Sequence, residues 1–139
     1  MTFLKNPWIL LFALTALTFT ACEDDDHDHD HDHGDNEITI NILEPGNDET
    51  VADASDVHIH IEIEATDVNH DVEIVLHPDG NLDEKILEEK LHDHDKKVSF
   101  EQDLDLSSYP AGTKFHLEVE ACKDHDCEER EFADVEFSI

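Results

Sequence analysis

Basic residues are scarce in this chain: 8 Lys and Arg stand against 38 Asp and Glu, for a formal net charge of −30. A surface of that sign repels nucleic acid and anionic membrane, and it favours cations or basic partners. Glycine is scarcer still, at 4 residues, and no Gly-rich phosphate loop is present. The HExxH helix and the nucleophile elbow are also absent, so the chain is not expected to be an enzyme. One pair of carboxylates among 38 identifies no catalytic dyad. No segment spaces Asp and Gly as a calcium loop does, which leaves only diffuse, low-affinity calcium binding. Long apolar runs are missing as well. The run from Trp8 to Phe19 falls short of the roughly 20 residues that a spanning helix needs.

That short run is nevertheless organised. Met1 to Lys5 gives a basic start, Trp8 to Phe19 an apolar centre, and Thr20-Ala21 the small residues that precede a cleavage site. With Cys22 immediately after, the pattern resembles a bacterial lipoprotein signal, although Phe19 stands where Leu is usual. The resemblance implies removal of residues 1–21 and acylation of Cys22. Each buried methylene of the acyl chains would add about 0.8 kcal/mol to the anchor. A plain secretory leader with an incidental cysteine is the alternative. Glu23 to Asp26 resemble the acidic export signals of some surface lipoproteins. The expected location is therefore the bacterial outer membrane, facing outside the cell or the periplasm.

Residues 22–36 form an acidic tether in which His27, His29, His31 and His33 occur at every second position. Beyond it, residues 37–139 read as one β domain. Although the chain is acidic, 38% of its residues are hydrophobic and most fall in alternating runs, so acidity does not mean disorder here. Strands are expected over 37–43, 57–65, 72–77, 97–104 and 114–121, with a last one burying Ala133, Val135, Phe137 and Ile139. The clearest is 57–65, with apolar residues on one face and His58, His60, Glu62 and Glu64 on the other. Residues 82–91 are ambiguous, since "LDEKILEEKL" favours helix by composition while its neighbours suggest a strand. Pro45-Gly46, Pro78 to Gly80 and Tyr109 to Gly112 mark turns. Six or seven short antiparallel strands in this length argue for an immunoglobulin-like sandwich.

Taken together, the leader, the His-bearing tether, "ITINILEPG", "VHIHIEIEATD", "VEIVLHPDG" and "FHLEVEACKDHDC" resemble the small immunoglobulin-like bacterial surface lipoproteins of unknown function. That resemblance implies a fold and a location, and no activity.

Seven of the twelve histidines precede an Asp: His27, His29, His31, His70, His92, His94 and His125. In an antiparallel sandwich the loops carrying His70, His92, His94 and His125 fall at the pole where the tether enters, and the Pro-Gly turns fall at the other. Neutral imidazole with carboxylate suits Zn²⁺, Ni²⁺ or Cu²⁺, and a neighbouring carboxylate orients the ring. The tether alone supplies ligands, but ordering it costs about 1 to 2 kcal/mol per residue fixed. As a solvated spacer it would simply stay extended. His58 and His60 lie about 7 Å apart along their strand and read as solvent-facing polar residues, able to join a metal only with help from a neighbouring strand or another molecule. His77 and His116 are read the same way.

Cys122 and Cys127 sit in the last hairpin, where an oxidising compartment favours a disulfide. Reduced, they would form with His125 a soft three-ligand site. Two functions remain in play. One is a membrane-anchored lipoprotein that captures or buffers transition metal, with an envelope transporter or a surface protein as the expected partner and no required cofactor. The other is a non-catalytic interaction or adhesion module whose acidic skin keeps it soluble.

Overall fold

Alternation of β-branched and polar residues dictates the architecture. In the computed structural model, which describes residues 36–139, the chain forms eight strands: β1 (Ile38–Glu44), β2 (Glu49–Thr50), β3 (Val57–Ala65), β4 (Asp71–Pro78), β5 (Leu87–His92), β6 (Lys97–Leu104), β7 (Lys114–Cys122) and β8 (Arg130–Ser138). No helix occurs among the described residues. One sheet has the order β1-β3-β6 and the other the order β2-β8-β7-β4-β5. The fold is an all-β sandwich compatible with the immunoglobulin-like class. Its two-residue strand β2 pairs in parallel with the end of β8 and has no counterpart in the strands expected from sequence.

Each central strand sends one face inward. Val57, Ile59, Ile61 and Ile63 of β3 meet Val72, Ile74 and Leu76 of β4 and Phe115, Leu117 and Val119 of β7 in a single core. Burying a side chain of this size stabilises the fold by about 1.5 to 3 kcal/mol. The wet face of the same strands carries the charge, which is how so acidic a chain retains an ordinary interior. The ambiguous segment divides: residues 82–86 form a turn and irregular chain, and Leu87 to Leu91 lie in β5, where Leu87 pairs with Leu76 and Leu91 with Val72, and Leu87 is buried. Helix propensity differences of a few tenths of a kcal/mol lose to that burial.

The connections sort into two poles. At one, the Ile38 end of β1 adjoins the β3–β4, β5–β6 and β7–β8 loops. At the other, Asp48 N–H donates to Glu136 O, Asp79 N–H to Lys114 O, and Gly112 N–H to Ile139 O, so the three Pro-Gly turns sit together. Gly80 and Gly112 have φ of 75° and 87°, a left-handed conformation that glycine adopts without steric cost.

Candidate functional site

The histidine pole is built from backbone contacts between loops. Asn36 Nδ2 donates to Val68 O at 2.7 Å and to Lys123 O at 3.0 Å, while its Oδ1 accepts from Asp67 N–H. One amide thus ties the start of the domain to two of the three loops. Asn69 is fully buried beside His70 and donates through Nδ2 to Asp95 O at 2.7 Å. Asp93 N–H donates to His70 O, and Asp95 N–H to Asp93 Oδ1, which shapes the turn bearing His94.

The β7–β8 loop is closed twice. Cys122 and Cys127 are joined as a disulfide with Cα atoms 4.8 Å apart. Asp124 accepts from the backbone N–H groups of Glu128 and Glu129 at 3.0 and 2.8 Å. Those two bonds, led by Glu129, hold the Asp124 carboxyl below its ordinary range. His125 rides on this loop.

Four of the histidines singled out by sequence come together here. His70 lies with its ring centroid 5.8 Å from that of His94 and 6.0 Å from that of His125, and His92 lies 4.7 Å from His94. Two imidazoles on one tetrahedral Zn²⁺, with Zn–N near 2.0 Å, have centroids about 5 Å apart. The rings are therefore spaced within about 1 Å of what a shared ion requires. Among the described residues, no three His, Cys, Asp or Glu side chains already converge on one point. Side-chain rotation would have to complete such a site, and His92, His94 and His125 are exposed enough to rotate. His70 is half-buried at the centre.

The carboxylate that orients a ring is not its neighbour in the His-Asp dipeptide. His92 Nδ1 lies 2.6 Å from Oδ1 of Asp71, its partner across the β4–β5 ladder. The same cross-strand pairing joins His58 Nδ1 to Asp103 Oδ1 at 2.6 Å. For His92 this leaves Nε2 as the nitrogen presented for a ligand. Asp71 and His92 also border a shallow depression of about 320 Å³ that reaches Lys90, Cys122 and Arg130.

Other expectations divide. Cys22, His27, His29, His31 and His33 lie outside the described residues. His77 is not solvent-facing: it is 3% exposed, with Nδ1 3.0 Å from Pro78 O, Nε2 3.3 Å from Glu118 Oε1, and its ring stacked on His116 at 5.5 Å. Its strand keeps its register, so His77 stays on the outer face with Glu73 and Val75 and is covered there, where Leu82 and Lys85 line the same depression. Sequence reasoning also missed Asn36 and Asn69. An asparagine two residues before a strand, Asn36 ahead of β1 and Asn69 ahead of β4, is the signal that could have found them.

Neither a family model nor a curated protein matches the chain, so the functional reading stands on the chemistry of these residues.

Proposed function

We propose that this chain is a membrane-anchored lipoprotein that binds divalent transition metal, Zn²⁺, Ni²⁺ or Cu²⁺, through its His-Asp tether and the histidine pole. Its role is capture or buffering of the ion beside the membrane. The observation that carries this reading is the convergence of His92, at the end of β5, with His70, His94 and His125 from three separate loops. Support also comes from the lipoprotein-like leader ending at Cys22 and from the resemblance to small immunoglobulin-like surface lipoproteins. In the domain, folding has already fixed the backbones of the ligands.

Calorimetry with Zn²⁺, Ni²⁺ and Cu²⁺ tests it, using the wild type, H27N/H29N/H31N/H33N, and H70N/H92N/H94N/H125N. Both sets of substitutions are expected to remove bound equivalents, with the tighter class lost from the pole. Unchanged titrations for the pole variant would leave the tether as the only metal ligand of this pair. Failure of the wild type to bind below about millimolar would end the metal reading.

A second reading, the non-catalytic interaction module, draws on one specific feature. Phe132 and Leu82 are 66% and 70% exposed on the outer face of the five-stranded sheet. They border a depression of about 530 Å³ rimmed by Glu73, Glu118 and Asp134. Failure of metal binding would move the functional assignment to this face.

A further inference from the structure

We propose that His58 and His60 form a second transition-metal site, on the outer face of β3. In it the two imidazoles and the Glu101 carboxylate are the ligands and Asp103 orients His58. The site shares no residue with the histidine pole, so either can fail without the other.

Strand alternation places both rings on one face, where each is half-buried and their centroids are 6.1 Å apart. Sequence alone leaves this pair short of a third donor. The β3–β6 register supplies one, because Asp103 stands opposite His58 and Glu101 opposite His60. On the other side, β1 shifts register between Ile42 and Glu44, which brings Glu44 opposite His60. The pair is thus flanked by carboxylates from both neighbouring strands.

The two histidines are held differently, one by a supporting carboxylate and the other loosely. His58 Nδ1 is 2.6 Å from Asp103 Oδ1, a hydrogen bond that fixes the ring and leaves Nε2 to coordinate. His60 Nε2 lies 3.7 Å from Glu101 Oε1 and 3.9 Å from Glu62 Oε1, beyond ordinary hydrogen-bond range. Two donors on one ion at about 2.0 to 2.2 Å are roughly 3 to 3.5 Å apart, so a metal would draw His60 and Glu101 together by only a few tenths of an ångström. The three side chains do not yet converge, and with His58 held by Asp103 it is His60 that must rotate to bring the rings from 6.1 Å to about 5 Å. Nitrogen ligands select Zn²⁺, Ni²⁺ or Cu²⁺ over Ca²⁺ and Mg²⁺, which take oxygen. Because β3 is the central strand of its sheet, the ligand backbones are already ordered and metal binding bears no cost of fixing them.

The test starts from the full chain carrying H27N/H29N/H31N/H33N and H70N/H92N/H94N/H125N, dialysed against Zn²⁺ at neutral pH. One bound equivalent is expected to remain and to disappear when H58N/H60N is added. D103N and E101Q should each weaken it, D103N by about 10- to 100-fold as for other partners that orient a metal-bound imidazole. No remaining equivalent in the folded background, or one that survives H58N/H60N, overturns the site. Should the eight substitutions prevent folding, the wild type loaded fully with Ni²⁺ gives the answer by NMR. Paramagnetic broadening of residues 58–60 and 99–103, abolished by H58N/H60N, is expected. Sharp signals there at full loading would equally overturn the proposal.

Discussion

Two aspartates hold the turns that flank β3 and β6 by the same device. Asp53 Oδ1 accepts from Ser55 N–H at 3.0 Å and from its hydroxyl at 2.7 Å, and Asp105 Oδ1 accepts from Ser107 N–H at 2.9 Å and from its hydroxyl. In each case the serine hydroxyl, then the backbone amide, lowers the carboxyl from its ordinary 3.8. A depressed carboxyl contributes stability that is fully present above 3.8 and is lost as pH falls through the lower folded value. The amide signals of Ser55 and Ser107 should therefore titrate with midpoints below 3.8. Asp105 also pushes Asp53 upward by its charge, so D105N should abolish the Ser107 titration and move the Ser55 midpoint further down. A Ser107 midpoint at or above 3.8 would show that these bonds do not form in solution.

At the scale of elements, the alternating face of β3 makes a strong demand. Ile61 is fully buried between β1 and β6, so Ile61→Ala should cost about 2 to 5 kcal/mol in denaturant unfolding. Leu82→Ala, at a side chain 70% exposed, should stay within about 0.5 kcal/mol. An Ile61→Ala cost as small as that of Leu82→Ala would mean that the register places another face inward. In the β7–β8 hairpin, reduction of Cys122–Cys127 should cost about 2 kcal/mol by loop-closure entropy and free the loop that carries His125. Urea unfolding with and without reductant measures it, and an unchanged midpoint would mean that the closure contributes nothing. The strands with strict alternation, β3 and β7, were legible in the sequence because only one register buries their β-branched and aromatic residues. β5 was not, for a geometric reason: Leu87 and Leu91 are four apart, a spacing that shares a face in both a helix and a strand. β2 has two residues, too few for any period. Poles could be assigned by counting strand directions, so the meeting of His70, His94 and His125 was legible. Which carboxylate faces which ring was not, because Asp71 with His92 and Asp103 with His58 are products of register between distant strands.

For the whole molecule, charge and metal should act on stability in ways that can be separated. With 38 acids and 8 bases, the folded chain repels itself, and raising NaCl from low to physiological strength should raise Tm by screening alone. That gain is the same for any monovalent salt and is untouched by histidine substitution. An ion bound specifically to the folded state adds RT ln(1 + [M]/Kd), about 2.7 kcal/mol per site at one hundred times Kd. At constant ionic strength, Zn²⁺ should thus raise Tm by roughly 10 °C or more for a domain of this size, and EDTA should reverse it. Imidazole must be neutral to ligate, so the metal increment should fade as acidification protonates the rings while the NaCl increment persists. H70N/H92N/H94N/H125N should remove the pole's share and leave the salt response intact. If Zn²⁺ and an ionically matched dose of Mg²⁺ raise Tm equally at pH 7 and at pH 5, the acidic skin is the whole cause and the histidines are bystanders. An increment specific to Zn²⁺ and confined to neutral pH assigns it to imidazole, and the substitutions then divide it among the tether, the pole and β3.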